Sequence, residues 1–350
     1  MFHRIRLKHM FMGACALLLA MGAVQTASAK TVNKSLCIYD PIGANGFIYQ
    51  EMQNYVTAAL KWGVHFHPRA YSNEGVAASD FKAGKCDAIE FTGIRNMHFV
   101  KFAGSLDMAG GLQTYKEEHT AMEVMSSPKA AKYMQSGPYE TVGVFPAGKV
   151  FLFAHSKKEL ASLQQAAGKK IAIMSYDKQA RALVNVVGAT PVPSSIATFG
   201  PKFNNGSVDY AYAPSFAYKA LELYKGLGKN GGIADFVLGQ LSLQIDIHKK
   251  EFPKSFGQKS RTWVMNNMWQ PAIRRVKHDD KSIPNHYWVH ISGKRAKKYR
   301  KIFLHTRQRL WKDGWYNHKM QHLLKKIRCH YKPSLAECSE HYEGGPVNGS

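Results

Sequence analysis

Three patterns in this chain carry spacings that chemistry uses, and each has to be weighed by the element on which it sits. Gly226-Leu227-Gly228-Lys229-Asn230-Gly231 spells G-x-G-x-x-G, the glycine spacing that lets backbone amides approach a pyrophosphate. A dinucleotide loop follows a strand, whereas this one follows a helix-like run, so it reads as a helix-ending turn. His65 and His67 alternate onto one face of a strand, and His318 and His322 stand one helical turn apart. Either pair could supply two corners of a zinc site, but no third ligand can be assigned, so no metal is expected. There is no nucleophile elbow, no H-E-x-x-H and no Walker loop. The residues ask for no catalytic apparatus and no cofactor.

The cysteines form the other reactive set. Arg4, Arg6 and Lys8, the apolar run from Ala14 to Val24, and Ala27-Ser28-Ala29 ahead of Lys30 make a cleavable secretory leader, cut after Ala29. The run is too short to span a bilayer comfortably. Cys15 precedes the Leu17-Leu18-Leu19 core and leaves with the leader, so the exported chain keeps Cys37, Cys86, Cys329 and Cys338. An even set in an oxidising compartment permits two disulfides, in three pairings. Cys37 with Cys86 is favoured because both fall in strand-like runs that can be neighbours. Cys329 with Cys338 is favoured because the short Tyr331-Lys332-Pro333 turn brings them together and would pin the C-terminal tail. Free buried thiols are the alternative.

The elements that must position any site follow from hydrophobic period. Residues 35–40 alternate and end at Pro41, residues 47–62 carry apolar side chains at helical spacing, and residues 64–72 form a second strand. A short helix over 76–83 and a third strand over 86–92 complete a βαβαβ order, which argues for a parallel sheet with covering helices. Residues 140–155 read as one long extended stretch broken by Pro146 and Gly148, leading to a helix over 157–167. Strands at 170–176, 190–192 and 207–213, with helices at 178–187, 196–204 and 215–225, repeat the α/β pattern. Residues 236–248 alternate and return the chain to the first half. Beyond them lie long basic helices with regular apolar faces, Tyr299, Ile302, Phe303, Thr306 and Leu310 in one, Met320, Leu323, Leu324 and Ile327 in the next.

About 320 residues after the leader suit two lobes of about 150. The expected fold is α/β, two-lobed and periplasmic-binding-protein-like (type II), with extra C-terminal helices. The first lobe takes residues 30–143 and about 237–270; the second takes 144–236 and about 271–328 with lobe-bridging helices; 329–350 form a tail. In open α/β sheets ligands sit beyond the carboxyl ends of the strands. That rule selects Tyr39, Asp40, Asn45, Tyr71, Ser72, Thr92 and Arg95 in the first lobe. In the second it selects Ser175, Tyr176, Asp177, Ser194, Ser195, Pro214 and Ser215. Turn formation or helix capping is the competing role for Asp40, Ser72, Ser194 and Ser195.

The order Gly168-Lys169-Lys170-Ile171, then Val187-Gly188-Ala189-Thr190-Pro191-Val192-Pro193, then Phe203-Asn204-Asn205-Gly206-Ser207-Val208-Asp209 resembles the second lobe of TRAP-transporter solute-binding proteins of the DctP type. The opening SLCIYDPIGANGF and the closing CHYKPSLAEC look like a sparsely characterised branch of these receptors. The resemblance implies an extracytoplasmic receptor for small polar or organic-acid-like solutes, with membrane transporter subunits as partners and hinge closure as its motion. Many members carry an arginine in the strand after the Gly-Lys-Lys turn, whose planar fork grips a carboxylate. Here Ala172 takes that place, and an asparagine often found after the Val-Asp strand is missing from Tyr212-Ala213-Pro214. Arg95 could supply a cation from the opposite wall.

The charge balance opens a second reading. The formal net charge is +24, or +21 without the leader, and residues 251–332 alone carry +17. Such concentration suits an anionic envelope surface, polymer or membrane. The alternative is thus an envelope interaction protein acting through its basic C-terminal helices, with nucleic acid the least expected partner. The leading expectation is a periplasmic receptor that encloses a small-molecule solute and is not an enzyme.

Overall fold

The computed structural model describes residues 31–347, so the expected leader over residues 1–29 lies outside the described residues. The chain opens with β1 (Val32–Tyr39), α1 (Phe47–Ala59), β2 (Val64–Tyr71), α2 (Glu74–Lys82) and β3 (Ala88–Thr92). Short helices α3 (Gly93–Asn96) and α4 (Lys101–Gly104) lead to α5 (Tyr115–Ser126), a two-residue β4 (Gln135–Ser136) and the long β5 (Tyr139–Ala154). The second α/β set is β6 (Lys170–Met174), α6 (Lys178–Val186), β7 (Thr190–Ser194), α7 (Ile196–Asn204), β8 (Tyr210–Pro214), α8 (Ala217–Ala220) and α9 (Tyr224–Leu227). The long β9 (Gly232–His248) follows, then α10 (Phe256–Ser282), β10 (Trp288–Val289), α11 (Gly293–Lys312) and α12 (His318–Tyr331).

One sheet in the order β2-β1-β3-β9-β5-β8-β6-β7 runs through both halves. At one end β2, β1 and β3 are parallel, and at the other β8, β6 and β7 are parallel. Between them β9 and β5 lie antiparallel for nearly their whole length. Thr92 to Ala88 pairs with Leu243 to Ile247, and Val150 to Ala154 pairs with Pro214 to Tyr210. Two strands therefore cross from one half to the other. Their ladder is interrupted between Pro146 and Gly148 and between Val150 and Leu152, near the crossing. Bulges of this kind bend a strand and let its two halves face different cores.

Each half has its own apolar core. In the first, α1 turns Ile48, Met52, Tyr55 and Ala59 onto the sheet, where they meet Phe66, Phe145, Leu243 and Ile245. In the second, Phe153, Phe203, Tyr210, Ala211 and Ile233 are fully buried. Burying each isoleucine, leucine, methionine or phenylalanine among them is worth about 1.5–3 kcal/mol. The 27-residue α10 buries Val264, Met268, Trp269, Ala272, Ile273 and Val276 and packs along β5. The basic helices are packed covers as their periodicity predicts: α11 buries Tyr299, Phe303, Thr306 and Leu310, and α12 buries Met320, Leu324 and Ile327. Among the described residues no helix is long and apolar enough to cross a membrane.

Both expected disulfides are present. Cys37 in β1 reaches Cys86, just before the neighbouring β3, with Cα atoms 5.9 Å apart. Cys329 reaches Cys338 across 5.6 Å. Two expected helices are corrected. The helix over 157–167 is instead a pair of 3-10 turns, because Ser156 and Ser162 each accept a hydrogen bond from a backbone amide two residues on and restart the turn. The helix over 215–225 is split into α8 and α9, with Glu222 in the left-handed region at φ 54°.

Candidate functional site

The strand ends of the two halves meet over Glu74. Asn73 caps α2 by accepting from the amides of Gly75 and Val76, which fixes Glu74 at the first helical position, pointing inward and 3% exposed. One carboxylate oxygen accepts from the Thr92 amide at 2.8 Å and the Thr92 hydroxyl at 2.6 Å. The other accepts from Arg95 Nε at 3.3 Å and from the Tyr176 hydroxyl at 2.6 Å. Arg95 also sits over the Tyr176 ring, its guanidinium carbon 3.3 Å from the ring centre. Tyr176 follows β6 of the second half, while Glu74, Thr92 and Arg95 belong to the first. A buried carboxylate thus bridges the halves, and burial together with the Glu74 charge pushes the Tyr176 hydroxyl well above its ordinary pKa.

Two cavities flank Tyr212 at this junction. One, of about 90 Å³, is walled by Tyr39, Thr92 and Leu243 from the first half and by Tyr176, Phe199 and Pro214 from the second. The other, of about 80 Å³, lies between Asp107, Gln240 and Ile94 on one side and Asp177, Ala180 and Leu183 on the other. Tyr212 donates to Asp177 at 2.7 Å and so is held as the partition. Asp107 accepts from the Ser242 amide at 3.0 Å and its hydroxyl at 2.6 Å. Burial pushes the Asp107 carboxyl up to about 8, against the pull of those hydrogen bonds, and burial raises Asp177 as well.

The residues selected from strand ends divide into two groups. Tyr39, Thr92, Tyr176 and Pro214 line the first cavity, Asp177 lines the second, and Arg95 joins them through Glu74. The others hold the fold. Asp40 is fully buried and accepts from the amides of Ile42, Ile48 and Tyr49, so it pins the start of α1. A Cβ on Gly46 would fall 1.9 Å from that carboxylate, so the glycine is required for this close approach. Asn45 and Ser175 are exposed, and Ser72 lines a shallow outer groove. Tyr71 donates to Asp80 away from the junction. Ser194 bonds its own strand, Ser195 caps α7 with Thr198, and Ser215 donates to Asp280.

Glu74, Asp107, Gln240 and Tyr212 were missed by the strand-end rule. Glu74 had a usable signal, since Asn73 is a strong N-cap residue directly after the second strand. Gln240 sits in the middle of a crossing strand, where only the pairing with β5 reveals which way it faces.

The other patterns have structural employment. The rings of His65 and His67 both hydrogen-bond Asn33, His318 stacks on Trp311, and His322 bonds the Glu343 carbonyl. Among the described residues no group of three or more potential ligands is placed to hold a metal. The glycine pattern at 226–231 closes α9, with the Gly231 amide bonded to the Leu227 carbonyl.

Residues 57–343 match the family model described as "Solute-binding protein AdeT 1/2". Over 302 residues the chain is 40% identical to the probable solute-binding protein AdeT1 of Acinetobacter baumannii, covering 86% of this chain and 99% of that one. Among solved structures it resembles a TRAP periplasmic solute-binding protein from Desulfovibrio salexigens with bound orotic acid. The TM-score is 0.69 at 12% identity, over 87% of this chain and 99% of that one. It also resembles DctP7, a Bordetella pertussis extracytoplasmic solute receptor binding pyroglutamic acid, with a TM-score of 0.64 at 13% identity over 85% and 100% of the two chains. These likenesses establish the two-lobed fold.

Proposed function

The chain belongs to the solute-binding protein AdeT 1/2 family, and on that premise we propose that it is an extracytoplasmic receptor that encloses a small polar solute between its lobes and hands it to a membrane transporter. The observation that carries this reading is the pair of cavities whose walls come from both halves of the sheet. A solute there contacts both lobes, and a ligand drives closure only through contacts that differ between open and closed states. The interrupted ladder of β5 and β9 supplies the hinge, one lobe carrying β1 to β3 and the other β6 to β8. Two cystines suit the periplasm, where the expected leader would deliver the chain. A micromolar complex needs only about 8 kcal/mol of net binding free energy, within reach of a few desolvated hydrogen bonds and an aromatic contact.

The test is small-angle scattering together with thermal unfolding against a broad metabolite collection. At least one compound is expected to compact the protein and raise its melting temperature. If no compound did either, the receptor reading would be lost.

One observation supports a second role alongside the first. Lys294, Arg295, Lys297, Lys298, Lys301 and Arg309 are exposed on α11, a basic face suited to an anionic envelope surface.

A further inference from the structure

Gln240 is 2% exposed and lines the cavity between Asp107 and Asp177, yet among the described residues neither its amide nitrogen nor its amide oxygen has a hydrogen-bond partner. The other polar side chains of that wall are engaged. Ser242 donates twice to Asp107, Tyr212 and the Ala180 amide donate to Asp177, and Gln179 donates to the Asp107 carbonyl while accepting from Tyr316. Buried amides are hydrogen-bonded in nearly all folded proteins, so a donor and an acceptor standing side by side without partners mark where another molecule supplies them. The remaining wall is apolar, with Ile94, Leu152, Ile171 and Phe303.

Charge narrows the class of solute. Among the described residues no lysine or arginine lines either junction cavity; Arg95, which sits over Tyr176, is paired with Glu74, and Arg307, which reaches the Ala109 carbonyl, is paired with Glu337 and Glu343. An anion entering would find no cation among the lining residues to receive it. Size narrows it further. At about 10–15 Å³ per water-sized group, the cavity of about 80 Å³ takes the bulk of a single small ring.

Resting on the receptor reading above, we propose that this cavity takes an uncharged solute with adjacent N–H and C=O groups, a lactam, imide or primary amide, paired edge to edge with Gln240. The Gln240 nitrogen donates to the solute carbonyl, and its oxygen accepts from the solute N–H. The ring then packs on the apolar wall.

The test compares matched probes that differ by one carboxylate: uracil against orotate, and 2-pyrrolidone against pyroglutamate. On the wild-type protein the neutral member of each pair is expected to raise the melting temperature by several degrees and its carboxylate partner to do so by much less. Gln240→Leu, which keeps the volume and removes both polar groups, is expected to weaken binding of the neutral probe roughly ten-fold or more. If that variant does not fold, the wild-type ranking decides alone. Orotate or pyroglutamate matching its neutral partner, an undiminished uracil shift in Gln240→Leu, or no shift with either neutral probe would each overturn the proposal. Stabilisation by carboxylates alone would overturn it while leaving the receptor reading intact. Loss of both would require that no compound of any class compacts or stabilises the protein.

Discussion

Replacing Glu74 by alanine strands four groups at once: the Thr92 amide, the Thr92 hydroxyl, the Arg95 guanidinium and the Tyr176 hydroxyl. Removing one partner of a buried ion pair is costly, and Glu74→Ala is expected to lower the unfolding free energy in urea by about 3 kcal/mol. Tyr176→Phe deletes only the contact between the halves and should cost about 1–2 kcal/mol. A loss near zero in both variants would show that the bridge is not made in solution. The buried carboxyls set the response to pH. An unfolded aspartate ionises near 4, whereas Asp107 in the fold is pushed up to about 8 and Asp246 to about 7, in each case first by burial. Between those values the folded chain holds protons that the unfolded chain has released, so stability present in acid is lost as pH rises through about 8. Asp107→Asn should therefore lose less stability than the wild type between about pH 5 and about pH 8, read by urea titration at each pH. Glu343 works in the opposite sense. Against the upward push of burial, Arg307 and Arg328 hold it down at about 2, so its contribution fades as pH falls below the ordinary glutamate range. Of these residues, Arg95 and Tyr176 were legible as strand-end positions, while Glu74 and Asp107 were not, because their roles depend on which strands and loops the fold brings opposite them.

The crossing strands and the C-terminal clasp are the elements most open to test. Gly148 has a φ of 127°, and a Cβ there would lie 2.5 Å from Val276 of α10. Gly148→Ala should cost about 2 kcal/mol or more through backbone strain and displacement of α10 from β5, read as a lower urea midpoint. The tail is held by Arg307 and Arg328, both bonded to Glu337 and Glu343, and by Cys329–Cys338. Replacing both cysteines by serine removes a closed loop of nine residues' separation, at a cost of roughly 2–3 kcal/mol. No change in the urea midpoint would mean that the ion pairs hold the tail unaided. Alternation made the strands readable, and Pro146 with Gly148 marked the break in the long one. The segment 157–167 misled because its apolar period suited a helix, while two serine caps decided the backbone locally. The stretch 97–134 had no strong period, although Thr114 and Glu117 spell the capping box that opens α5.

For the whole molecule, two α/β halves and a basic C-terminal quarter, which led to the proposed cleft between strand ends, were readable from pattern, charge and order. The walls of the cleft were not, since they come from residues far apart in the chain, such as Asp107 and Gln240, that meet only through the shared sheet. The two roles suggested for the molecule respond differently to salt. Raising ionic strength from about 0.05 M to about 0.5 M should release the protein from anionic vesicles if the α11 face binds them, because exposed charges are screened over a few ångströms at such salt. The thermal shift produced by an enclosed neutral solute should hardly change. Mass spectrometry of small molecules released on denaturing gently purified protein asks most directly whether something is held at the junction. A single low-mass solute in near-equimolar amount is the expected release; a folded protein that gives up none would overturn the receptor reading.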